Sequence, residues 1–154
     1  MAKAENEIWH SRPLPDELNE FSTGSMISRI GIRFTEVGDD FITASMSVDH
    51  RTLQPFGVLH GGASAVLAET LASMGATHCV DRLRFACVGM EINVNHLRPV
   101  LQGTVEGRAT PIHLGKRTQV WDVRIDDGDD RLVAVSRLTL AVVEKSRLES
   151  GPRS

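Results

Sequence analysis

The chain has 154 residues, enough for one domain with a core that needs no metal or disulfide staple. With 17 basic against 20 acidic residues and a net charge of −3, it offers no electrostatic case for nucleic acid or an anionic membrane, and no run of about 18 apolar residues suggests a membrane span. Two cysteines, Cys79 and Cys87, are too few for a disulfide framework and lack zinc-ligand spacing; the opening MAKAENEIWH has no apolar signal-peptide core, so a cytoplasmic protein without metal or cofactor is the default expectation.

Residues 1–24 are polar, with Pro13 and Pro15 ahead of a short helix over 16–21, and read as an arm laid on the domain that follows. IRFTEVG from Ile32 is a strand, and GDD at 38–40 a turn. FITASMSV is a second strand, with Ile42, Ala44, Met46 and Val48 on one face and Thr43, Ser45 and Ser47 on the other. DHRTLQPFG is a loop punctuated by Pro55 and Gly57. One long helix follows over 61–79, roughly 30 Å long at ~1.5 Å per residue. It is apolar or small all round, the pattern of a buried helix.

Four strand-like segments complete the chain. FACVGMEINVNHLRPV alternates Met90, Ile92 and Val94 with Glu91, Asn93 and Asn95, and TVEGRATPIHL alternates less cleanly. QVWDVRI sets Trp121, Val123 and Ile125 against Asp122 and Arg124. After the turn DGDD at 127–130, RLVAVSRLTLAVVE is apolar enough to sit centrally. The domain spans 25–145, and a tail over 146–154 is left to fray. Strand, strand, helix and then four strands joined by short turns predict an α+β fold, an antiparallel sheet wrapped around one long central helix.

Between Arg51 and Asp81 the only charged residue is Glu69, in the middle of that helix. A bare buried charge is too costly, so Glu69 is either solvated or paired, hydrogen-bonded or facing a cavity. Ser73 follows it at i+4, on the same face. At the helix start stands His60-Gly61-Gly62, where unpaired N–H groups and the helix dipole suit a developing oxyanion. The Gly61 N–H is the candidate donor to a carbonyl oxygen, an interaction that in characterised sites supplies about 3–4 kcal/mol. The plainer alternatives are a glycine pair that only makes a turn, a Gln54 that faces solvent and a His60 that only caps the helix. His78, near the other end, suits the last carbonyls. Glu69 lies two turns from Gly61, too far to act with it in one chain, which suggests a site shared across a dimer. No H-E-x-x-H, P-loop or G-x-S-x-G pattern is present.

QPFGVLHGGASAVLAET, VGMEINVNHLRP and PIHLGKRTQVW together resemble the signature segments of hot-dog-fold acyl-CoA thioesterases of the phenylacetate-degradation type. The nearest branch holds the 1,4-dihydroxy-2-naphthoyl-CoA hydrolases of menaquinone biosynthesis and the proofreading thioesterases of enterobactin synthesis. The resemblance covers residues 25–143. It implies Glu69 as nucleophile or general base, Gly61 as the oxyanion donor, Gln54 and His60 as groups orienting thioester and water, and Ser73 as a helper beside Glu69. It also places Glu69 and Ser73 on one subunit and Gln54, His60 and Gly61 on its partner. Coenzyme A contacts fall on His96, Leu97, Arg98 and Pro99 and on His113, Leu114, Gly115, Lys116, Arg117 and Thr118, with Gly89 beside the acyl group. Arg98, Lys116 and Arg117 are suited to phosphates.

The implied substrate is an aromatic or hydroxyaromatic acyl-CoA, and the implied assembly a homotetramer of two dimers. The branch markers are mixed. Pro99 stands where menaquinone-type enzymes can carry a serine; the Arg98-Pro99 pair looks more like the enterobactin type, but Leu97 lacks that group's second histidine. The acyl group, the pathway and the choice between CoA and an acyl carrier protein therefore stay open. A hot-dog hydratase and a non-catalytic CoA-ester-binding module are the rival readings.

Overall fold

The computed structural model describes residues 7–146; residues 1–6 and all of the expected tail beyond Ser146 lie outside the described residues. The elements run α1 (Pro15–Phe21), α2 (Met26–Arg29), β1 (Ile32–Val37), β2 (Ile42–Val48), α3 (Gly61–His78), β3 (Phe85–His96), β4 (Gly103–Leu114), β5 (Thr118–Asp127) and β6 (Leu132–Glu144). The strands form one six-stranded sheet in the order β1-β2-β4-β5-β6-β3, with antiparallel pairs throughout. The expected architecture is the one adopted: an antiparallel sheet with one long helix against it.

The core lies between α3 and the face of the sheet that packs against it. Ile42, Ala44 and Met46 of β2 and Trp121, Val123 and Ile125 of β5 are fully buried there, as their period-two pattern requires. From the helix come Leu67, Ala68, Leu71, Ala72 and Ala76, also fully buried. Close approach depends on small residues: a Cβ on Gly75 would stand 2.7 Å from the Trp121 ring. The helix stops at His78, with Cys79 as its C-cap.

The helix is not covered all round. Gly61, Ala65, Glu69, Ser73 and Thr77 are each only half-buried and form a single i, i+4 row. The small side chains suggest burial on every side, but the described residues cover that row only in part. Beside it runs β3, which is an edge strand and leaves Met90 and Val88 exposed at 60% and 43%. β6, expected at the centre, has a neighbour on each side but stands second from that edge.

The described part of the arm is fastened at several points. Trp9 and Leu18 are buried, and the Trp9 indole N–H donates to the Gly38 carbonyl at 2.7 Å. Arg12 pairs with Asp39 at 2.9 Å, and the His10 and Ser11 N–H groups donate to the His78 carbonyl at the end of α3. The short helix α2, absent from the sequence reading, starts on Ser25, whose hydroxyl accepts the Ile27 N–H at 3.2 Å.

Candidate active site

Two groups of side chains gather along the open row on α3, one at its start and one at its middle. At the helix start, His60 is the N-cap, and its Nδ1 accepts the Gly62 N–H at 2.8 Å. The His60 carbonyl accepts the Ala63 and Ser64 N–H groups, while the Gly61 N–H meets no acceptor among the described residues. The loop before it is tightly tied: Gln54 and Gly57 close a turn, and the Leu59 N–H donates to the Val100 carbonyl at 2.7 Å. A cavity of about 400 Å³ opens at this point, lined by Gln54, Gly61, Ser64 and the segment His96, Leu97, Arg98 and Pro99. Arg98 spends one N–H on the Leu132 carbonyl at 3.0 Å and is an exposed residue.

The second group is built on Glu69. Its Oε1 accepts the Ser73 hydroxyl at 3.0 Å, the i+4 contact that the spacing implied. Gly89 of β3 faces it so closely that a Cβ would stand 2.8 Å from Oε1. The ladder between β3 and β6 slips at this point: Gly89 pairs with Leu140 and Glu91 with Thr139, leaving Met90 as a bulge. Bulges re-aim side chains and end regular pairing, and they concentrate beside functional sites. Two positions before Gly89, the Cys87 thiol is half-buried and its pKa is pushed up to about 11 by desolvation. It is a neutral thiol at physiological pH, unsuited to act as a thiolate nucleophile.

The hairpin between β4 and β5 carries the run His113 to Thr118. The Gly115 N–H donates to the Thr118 carbonyl at 2.9 Å, and a Cβ on Gly115 would stand 2.7 Å from that oxygen. Lys116 and Arg117 project into solvent, with no carboxylate partner among the described residues. Thr118 pairs with Ala141, which pairs with Val88, so this hairpin lies at the Glu69 end of the sheet. His96 pairs with Ala134, at the Gly61 end.

The residues singled out from the sequence therefore fall into two groups. Gln54, His60, Gly61 and the segment 96–99 gather at the helix start; Glu69 at mid-helix, Ser73 and Gly89 form the second group, with the segment 113–118 on the same side of the sheet. Eight residues of helix put about 12 Å between Gly61 and Glu69 in one chain. His78 sits with neither group. It is buried, donates from Nδ1 to the Met74 carbonyl at 2.9 Å and accepts from Arg82 at 3.1 Å, the end-of-helix use its position suggested.

Sequence reading missed the Met90 bulge and the contact of His96 with the helix start, where Nε2 lies 3.1 Å from the Gly61 carbonyl oxygen. The bulge has no local signature beyond Gly89, and the contact joins residues 35 apart. It also missed a groove of about 580 Å³ that continues the row beyond Ser73, between Thr77, Phe85, Cys87 and the arm's Phe21.

Comparison with known proteins adds four findings. Residues 56–134 match the family model described as the thioesterase superfamily. The chain is similar to the 1,4-dihydroxy-2-naphthoyl-CoA hydrolase of Escherichia coli strain K12, 46% identical over 136 residues that cover 88% of this chain and 99% of the relative. It is likewise similar to the proofreading thioesterase EntH of Cronobacter turicensis, 46% identical with 88% and 98% covered. Among solved structures, a mutant thioesterase from Pseudomonas aeruginosa aligns with a TM-score of 0.88 at 47% identity, covering 90% of this chain and 99% of that one.

Proposed function

The chain belongs to the thioesterase superfamily and is a thioester hydrolase with the hot-dog fold, and from that premise we propose that it cleaves aromatic or hydroxyaromatic acyl-CoA thioesters at a site shared by two protomers. The observation that carries the reading is the pairing of a lone, half-buried carboxylate with a free helix-start N–H that it cannot reach within one chain.

The thioester carbonyl oxygen accepts from the Gly61 N–H of one protomer, while Glu69 of the other faces the carbonyl carbon. In the nucleophilic course, Glu69 attacks, the C–S bond breaks, and the electron pair leaves with the CoA thiolate. Water then opens the mixed anhydride to free acid and carboxylate. In the general-base course, Glu69 takes the proton of the attacking water, and the thiolate leaves from the tetrahedral intermediate. A thiolate is a competent leaving group, so neither course needs a strong acid. Ser73 holds one Glu69 oxygen, and Gln54 and His60 orient thioester and water. Lys116 and Arg117 from the Glu69 side, and Arg98 from the Gly61 side, take the phosphates of coenzyme A.

The edge strand supports the dimer. Gly89, beside Glu69, and His96, beside Gly61, each stand three ladder positions from Asn93. Ala65 likewise stands midway between Gly61 and Glu69 on α3. One two-fold axis passing Ala65 and Asn93 would pair β3 antiparallel with its copy and lay each Glu69 against the partner's helix start. The exposed Val88 and Met90 and the free ladder groups of β3 would be covered by this pairing. Two such dimers make the tetramer.

A thiol-release screen over aryl-, hydroxyaryl-, phenylacetyl- and fatty-acyl-CoA tests the substrate class. Fastest turnover on the aromatic esters is expected, and a clear preference for aliphatic chains would contradict it. Replacing CoA by an acyl carrier protein bearing the same acyl group separates the second reading, which the similarity to EntH favours. Hydration of crotonyl-type esters without thiol release would point to the hydratase alternative.

A further inference from the structure

The peptide between Gly61 and Gly62 is gripped from both sides by imidazoles. His96 reaches over from the end of β3, its Nε2 donating to the Gly61 carbonyl at 3.1 Å. On the other side of the same peptide, the Gly62 N–H donates to His60 Nδ1 at 2.8 Å. A carbonyl oxygen only accepts, so His96 carries a proton on Nε2. A backbone N–H only donates, so His60 Nδ1 is bare and the neutral ring carries its proton on Nε2. The two rings are thus linked through one amide whose C=O and N–H are polarised in the same sense.

Both glycines answer to these rings. A Cβ on Gly61 would stand 2.9 Å from the His96 ring, and one on Gly62 would stand 2.9 Å from His60 Nδ1. The glycine pair is thus required by the protein's own histidines. The arrangement also offsets a weakness. Two successive glycines are the most mobile start a helix can have, whereas an oxyanion donor must be fixed before the charge develops. The helix bonds of the His60 carbonyl hold one side of Gly61, and His96 holds the other.

We infer that His96 is a positioning residue for the hydrolysis: it clamps the Gly-Gly start of α3, aiming the Gly61 N–H and setting the His60 tautomer that presents Nε2–H to the thioester. The inference rests on the reading of Gly61 as the oxyanion donor. It differs from a role for His96 in holding coenzyme A, because the clamp acts on any thioester, however short its thiol.

The test measures kcat and KM for wild type, His96→Ala and His96→Gln on an aryl-CoA and on the N-acetylcysteamine thioester of the same acid. The short thiol lacks the nucleotide and most of the pantetheine arm. His96→Ala is expected to lower kcat about 100-fold, the scale of a misplaced reacting group, by the same factor on both thioesters and with little change in KM. His96→Gln keeps an N–H donor and should recover part of the loss. A defect confined to the CoA ester and carried by KM, or an unchanged kcat in His96→Ala, would overturn the inference. Gly61→Ala supplies a second readout. It should cost clearly less in the His96→Ala background than in wild type, and additive losses would contradict the clamp. Glu69→Gln, assayed alongside, separates the two levels: an active Glu69→Gln removes the parent reading, whereas an inactive Glu69→Gln with an unaffected His96→Ala removes only the clamp. Thermal denaturation of each variant identifies any loss that comes from unfolding.

Discussion

Glu69 receives the Ser73 hydroxyl at 3.0 Å, and across from it Gly89 leaves the carboxylate its space. These contacts lead to different expectations. Glu69→Gln keeps the shape and removes the charge, so turnover should fall by about three orders of magnitude or more while the melting temperature holds, because nucleophilic or base chemistry is lost outright. Gly89→Ala adds a Cβ only 2.8 Å from Oε1; it should displace the carboxylate and cut kcat by about 100-fold, measured by thiol release on the folded variant. Cys87 gives the opposite expectation. Its raised pKa of about 11 keeps it a thiol, so Cys87→Ala should retain activity within about threefold. A large loss would show that the thiol takes part.

At the scale of elements, the ends of α3 are held by residues far away in the chain. His96 of β3 clamps the start, and at the other end the buried His78 ties Met74 and Arg82 together while its carbonyl receives the arm. Burial pulls the His78 pKa below the ordinary imidazole value of 6.5. The unfolded chain therefore binds this proton more readily than the folded one, so the contribution of neutral His78 is present above about pH 6.5 and is lost as the pH falls through the lower folded value. The melting temperature of wild type should drop more between pH 7 and pH 5 than that of His78→Gln; parallel curves would contradict this. Such ties explain what was legible in the sequence. Strands with strict alternation, such as Trp121, Val123 and Ile125, declared their buried face, and His60-Gly61-Gly62 marked the helix start within one residue. The edge position of β3 and the Met90 bulge were not legible, because alternation reports which face is apolar and says nothing of which neighbour is missing. The clamp on Gly61 joins two segments that no local pattern connects.

For the whole molecule, the unresolved business of one chain is its open side: the row Gly61, Ala65, Glu69, Ser73 and Thr77, and the free edge of β3. A second copy placed about Ala65 and Asn93 would complete both at once, joining a half-site rich in backbone donors to a half-site with a carboxylate. Subunit complementation shows whether the two halves act across protomers. Glu69→Gln disables one half; Gly61→Pro, compatible with a first helical position in its backbone but pressing on the His96 ring, removes the N–H of the other. Each variant alone should be nearly inactive. Unfolded together and refolded as a mixture, about half of the dimers would be mixed, each with one intact site of two, so thiol release should recover to about a quarter of the wild-type rate. A mixture that forms mixed dimers yet stays as inactive as its parents would contradict the shared site.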